Sequence, residues 1–125
     1  MPMRQFFVFI TAFMLGGCGI AQNMQGSYHL VADDPALQRV TLEIEGARIS
    51  GQGPCNRYFG SITHSDAVPN NITLGPVAST RMACPNLSAE YDYFQDLQRV
   101  SGIEVMHDGV ILTTIDQAKM IFKNR

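Results

Sequence analysis

The chain has no tryptophan, no cluster of lysine or arginine, and only one long apolar stretch. Without tryptophan, the large apolar bodies of a core must come from Tyr28, Tyr58, Phe59, Tyr91, Tyr93, Phe94 and Phe122. Nine Lys and Arg against eleven Asp and Glu, with no basic run, argue against a nucleic-acid partner. His29, His64 and His107 stand singly, with no His-x-x-x-His and no carboxylate at ligand spacing, so no metal and no cofactor is expected. Ser79, Thr80 and Arg81 lie outside any Gly-x-Ser-x-Gly elbow, which removes the commonest signature of a serine nucleophile. The acid pairs Asp33-Asp34 and Glu43/Glu45 read as a turn and a wet strand face, and no catalytic residue is expected. Cysteine is also scarce: Cys18, Cys55 and Cys84 only.

The apolar stretch spans residues 6–15 (FFVFITAFML), one cation behind, at Arg4. Ten helical residues reach about 15 Å, half a hydrocarbon core, so the stretch fits a secretory signal better than a membrane span. It ends in LGGC, residues 15–18. An aliphatic residue, two small ones and a cysteine resemble the bacterial lipoprotein signal. That resemblance implies cleavage before Cys18, a diacylglycerol on its thiol and an acylated amine. Two or more acyl chains hold a protein stably on a bilayer. Gly19, where an aspartate would mark retention, implies the outer membrane, facing the periplasm. Three segments follow: a signal peptide at 1–17, a lipid-anchored tether at 18–25 and one domain at 26–125. Removal of residues 1–17 leaves 108 of the 125, a single-domain length, with eight basic and eleven acidic residues.

Within the domain, Val40, Leu42 and Ile44 alternate with Thr41, Glu43 and Glu45, which predicts a half-buried strand. Gly46 allows a reversal into a strand at 48–50. Further strands are expected at 27–31, 56–63 with Gly60 as a bulge or close approach, 72–74, 103–106, 110–115 and 119–123. Asp108-Gly109 marks a two-residue hairpin. A single helix is expected near 86–101, capped by Asn86 or Ser88, with Leu87, Tyr91, Phe94 and Leu97 as its apolar stripe and Gly102 as its stop. Glu90 suits the positive end of such a helix and Arg99 the negative end. Met82, Met106 and Met120 are expected to fill core gaps. The predicted fold is mainly β (α+β): one curved antiparallel sheet or small barrel of about seven to eight strands, its open face covered by the helix.

After export, Cys55 and Cys84 face an oxidising compartment, which favours a disulfide; two buried thiols are the alternative. Around them lie CNRYFGSI and, some twenty residues on, LGPVASTRMACP. With the opening GSYHLV, the acidic-aromatic EYDYF and the closing KMIFK, these resemble the META, or HslJ-like, domain of bacterial envelope lipoproteins. The resemblance implies a mainly β fold with one helix. It also implies a cell-envelope role in heat-stress response or novobiocin tolerance, with no reaction or ligand attached. Tyr28 stands where many members carry tryptophan, and Pro54 where glycine usually precedes the cysteine.

Two residue groups keep a claim to recognition: Asn56, Arg57 and Tyr58 as a polar cluster, and Arg81. The blander readings are a turn and sheet positions for the first group. For Arg81 the blander reading is a partly buried arginine bonded to loop carbonyls or a carboxylate. The expected function is a monomeric, non-enzymatic envelope lipoprotein that binds an unidentified partner. The alternatives are an inhibitor of a periplasmic hydrolase acting through residues 63–71, and a binder of apolar small molecules in a cavity under the helix.

Overall fold

The structure, a computed structural model, describes residues 24–64, 70–85 and 87–125. The leader, Cys18, the tether up to residue 23, loop residues 65–69 and Asn86 lie outside the described residues. Among the described residues, nine strands and one helix follow in chain order: β1 (Gly26–Leu30), β2 (Thr41–Glu45), β3 (Arg48–Gln52), β4 (Arg57–His64), β5 (Ile72–Leu74), β6 (Ala78–Ser79), α1 (Leu87–Gln98), β7 (Val100–Met106), β8 (Gly109–Thr114) and β9 (Lys119–Asn124).

Eight strands form one antiparallel sheet in the order β5-β4-β3-β2-β1-β9-β8-β7. The sheet curls until its outer strands meet. An isolated bridge joins Asn71 to Gly102, and the Ile103 amide donates to the Asn70 carbonyl at 2.9 Å. The result is a nearly closed barrel, as the alternating pattern predicts. Inward positions carry Tyr28, Leu42, Ile44, Ile49, Tyr58, Ile62, Val110, Leu112 and Phe122, all buried. Short β6 is outside this path and pairs with β4 alone, along the half that β5 leaves open.

Register places the two barrel ends. At one end, β2 turns into β3 through Gly46 and Ala47, with Glu45 opposite Arg48. Gly46 takes φ 61°, a left-handed conformation that a side chain disfavours. Met24 closes this end. It is 0% exposed, its carbonyl accepts the Tyr28 hydroxyl at 2.6 Å, and the Gln25 side chain bonds the Gly46 backbone. Residues 24 and 25, placed in the tether on sequence, are therefore packed against the barrel. The other end, where β1 and β3 finish and β4 and β9 begin, is closed by α1.

Several local expectations are corrected. The helix ends at Gln98, not near 101, and Gly102 lies in β7 beside a register shift between Val100 and Gly102. Ser88 lies inside the helix and does not cap it. The buried face of α1 is Glu90, Tyr93 and Leu97, with Phe94 half-buried; Leu87 and Tyr91 are exposed. The predicted stripe is rotated because a carboxylate, not an apolar group, anchors the first buried turn. The β7–β8 hairpin turns at His107 and Asp108, and Gly109 pairs with Met106 as a strand residue. Gly60 is a close approach, 3.2 Å from an Ile49 side-chain carbon for an added Cβ, without a bulge in the β3–β4 register. Met120 is in the core, whereas Met82 and Met106 are exposed.

Candidate functional site

The chemistry concentrates where the β3–β4 loop meets the start of α1. The loop, residues 53–56, is tight because the Gly53 amide donates to the Asn56 carbonyl at 2.8 Å. A Cβ on Gly53 would lie 2.9 Å from the Glu90 carboxylate, so the position accepts no side chain without a shift. The loop thereby brings two consecutive amides to Glu90. Its Oε1 accepts the Cys55 amide at 3.0 Å and the Asn56 amide, and its Oε2 accepts Asn56 Nδ2 at 2.7 Å. Glu90 is 4% exposed, and these bonds replace the water that a buried carboxylate forgoes.

Asn56 carries the connection onward. Its Oδ1 accepts the Thr80 hydroxyl at 3.0 Å and the Met82 amide at 2.6 Å, and its Nδ2 reaches the Met82 carbonyl at 3.3 Å. Cys55 and Cys84 are bonded, with Cα atoms 6.0 Å apart, within the span a disulfide bridges. Segment 78–84 is thus tied to the barrel by β6 pairing, by Asn56 and by the disulfide.

Behind this latch three rings pack together. Tyr58 lies 5.6 Å from Tyr93 and 5.7 Å from Phe94 between centroids, and Tyr93 lies 5.8 Å from Phe94. The Tyr58 hydroxyl donates to the Thr41 carbonyl at 2.6 Å and accepts from the Tyr93 hydroxyl at 2.8 Å. Burial pushes both phenols well above their ordinary range, so neither ionises at physiological pH. These rings and Leu97 fill much of the volume under the helix, and the cavity that remains between α1 and the barrel, beside Leu30, Leu37, Tyr93 and Met120, holds about 150 Å³, less than the several hundred Å³ of an ordinary small-molecule site.

Open space lies instead outside the latch, between segment 79–83 and α1. This groove holds about 500 Å³, within the range of ligand sites. Arg81 and Met82 form one wall, Leu87, Tyr91 and Phe94 the other, and Asn56 and Glu90 also line it. Met82 is 60% and Tyr91 64% exposed. Glu90 contributes little free acceptor capacity, because both its oxygens are bonded to the loop.

The sequence candidates separate in space. Asn56 is a buried hub, 3% exposed; Arg57 projects to solvent; Tyr58 points into the barrel. They are neighbours in sequence but not a recognition cluster. Arg81 is exposed, not partly buried. Among the described residues, its guanidinium and its backbone N–H and C=O make no hydrogen bond or ion pair. Glu90 and Thr80 are the residues that sequence reasoning missed as partners of Asn56. The only available signal was the 90/93/97 spacing, i, i+3, i+7, which reads as a buried face only if a carboxylate is allowed on it. No group of three or more metal-ligating side chains occurs among the described residues. The inhibitor loop 63–71 falls largely outside them.

The META domain family matches residues 21–125, and the chain belongs to that family. No curated protein matches it. Among solved structures, the chain is similar to a protein from Burkholderia xenovorans determined by NMR, with TM-score 0.63 and 23% identity over 84% of this chain and 86% of that one. It is also similar to a DUF4847 family protein from Bacteroides vulgatus, with TM-score 0.64 and 9% identity over 82% and 94%. At these identities the likeness is one of fold. Neither family nor neighbours indicate a catalytic function.

Proposed function

We propose that the chain is a non-enzymatic, lipid-anchored protein of the bacterial cell envelope that holds a partner in the groove beside α1. The observation that carries this reading is the groove itself. It combines exposed Met82, Leu87 and Tyr91 with Arg81, which has no ion-pair partner among the described residues, on a wall fixed by Asn56, Glu90 and the disulfide. Exposed apolar side chains gathered around an open concavity mark interaction sites more often than scattered ones do. Position supports the same reading. The chain enters the barrel at Met24, the end opposite α1 and the groove. The leader and LGGC support lipidation, and the family resemblance supports a role in stress response or drug tolerance, facing the periplasm from the outer membrane.

A photo-crosslinking residue at Tyr91 in cells tests the reading. One discrete partner is expected from Tyr91 and none from Ile121, exposed on β9. Equal capture at both positions, or none, rejects it. Cys18→Ser is expected to release the protein from membranes; unchanged retention rejects the anchor.

A further inference from the structure

We propose that the occupant of the groove is an extended peptide segment that adds as a strand to the outer edge of residues 79–82, its carboxylate paired with Arg81. This rests on the groove being a partner site and names the partner's chemistry.

The first observation is a one-sided strand. β6 pairs with β4 through Ala78–Phe59 and Ser79–Tyr58, and among the described residues it has no second strand partner. Beyond it, the Thr80 amide donates to the Arg57 carbonyl at 3.0 Å and the Met82 amide to Asn56 Oδ1. Residues 80 and 82 therefore bond inward. Strand alternation turns the amides of Ser79 and Arg81 the other way, towards α1 and the groove. Arg81 matches this: among the described residues its backbone groups have no partner. An exposed row of backbone donors and acceptors is the template on which a further strand forms.

The second observation is spacing. The opposing wall is a helix presenting Leu87, Tyr91 and Phe94, and about 500 Å³ separates it from the edge. A strand added here would direct alternate side chains onto that apolar wall. The third is charge. Among the described residues, Arg81 is the one cation lining the groove, and the one carboxylate there, Glu90, is already bonded to the loop. An added segment with a carboxylate at that register complements it; a basic segment does not. The fourth is rigidity. Asn56 and the Cys55–Cys84 bridge hold the edge from behind, so little ordering cost remains when a peptide docks.

The test is a display library of random eight-residue segments selected against the full chain. Enriched sequences are expected to carry apolar residues at alternate positions and one carboxylate. On binding one of them, the Ser79 and Arg81 amides should become protected from hydrogen exchange. Methylating the peptide's edge-facing amides should abolish binding. Arg81→Ala should weaken it about fivefold, with the effect shrinking as salt rises. C-terminal amidation against Asp/Glu→Asn/Gln exchange tells a terminal carboxylate from a side-chain one. Failure of any peptide to enrich, binding that survives amide methylation, or protection away from Ser79 and Arg81 overturns the proposal. A partner crosslinked at Tyr91 through a helical segment also overturns it while leaving the partner-binding reading intact. Peptides that bind as described, with no partner crosslinked in cells, support the peptide proposal and reject that reading.

Discussion

The two ends of the barrel are closed by opposite means. At the chain-entry end a single apolar side chain, Met24, fills the opening, and its neighbours Tyr28 and Gln25 add three side-chain hydrogen bonds to backbone carbonyls and one from the Gly46 amide. At the α1 end, closure uses a buried carboxylate, a buried amide, a disulfide and three aromatic rings. An apolar plug is non-directional and seals. A hydrogen-bonded latch is directional, and it fixes segment 78–84 in one place while leaving its outer side open. That difference leaves an open groove beside the latch.

The sharpest way to break the contrast is Glu90→Ala. Two amides and the Asn56 side chain lose their acceptor, and leaving buried donors unpaired costs about 1–3 kcal/mol each, so about 4 kcal/mol in total is expected. Urea unfolding reads it; a loss below about 1 kcal/mol would mean the latch is replaceable by water. Next is the disulfide. Reduction should destabilise by about 3.5 kcal/mol for a loop of this size with 29 residues of sequence separation. Intact mass before and after reductant, with alkylation of Cys55 and Cys84 only after it, verifies the bridge. At the other end, Met24→Ala should cost about 3 kcal/mol by removing a buried side chain. It should do so without altering exchange at Ser79 or Arg81; a change there would show that the two ends are coupled.

The smallest effect is electrostatic. Burial raises the Asp96 carboxyl above its ordinary value near 3.8, helped by Asp116 and Asp92 and opposed by Arg99. The folded chain then keeps its proton at pH values where the unfolded chain has lost it, so stability falls as pH rises through that window. Asp96→Asn should gain about 0.5 kcal/mol near pH 7, with the gain gone below about pH 4. Asp116 has the opposite sign. The Thr114 hydroxyl, its own backbone amide and Arg99 hold its carboxyl low. Its contribution is present at neutral pH and lost as acid protonates it. A thermal-unfolding series from pH 3 to 8 on Asp96→Asn and Asp116→Asn separates the two.

Much of the fold was legible because strand alternation is a local property. Val40, Leu42 and Ile44 are buried in the order their spacing requires, and β5 is where its apolar pair predicts. Boundaries near helix ends were less legible. Gly102 looks like a helix stop but sits in a strand, since β7 starts as soon as Val100 can pair with Thr114. The site was the least legible part. Met82 and Tyr91 resemble core residues in composition; the rotation of α1 leaves Tyr91 in solvent, and Met82 is exposed on segment 78–84.

By itself, the sequence determined the β-rich single domain, the family motifs and the cysteine count, because alternation, turn residues and motif spacing are written along the chain. Tertiary structure decided which face of α1 is buried, that Glu90 is spent on loop amides, and that Arg81 is exposed at the edge of an open groove. Those outcomes depend on residues 34 and 35 positions apart competing for the same hydrogen bonds. No local pattern encodes the winner of that competition.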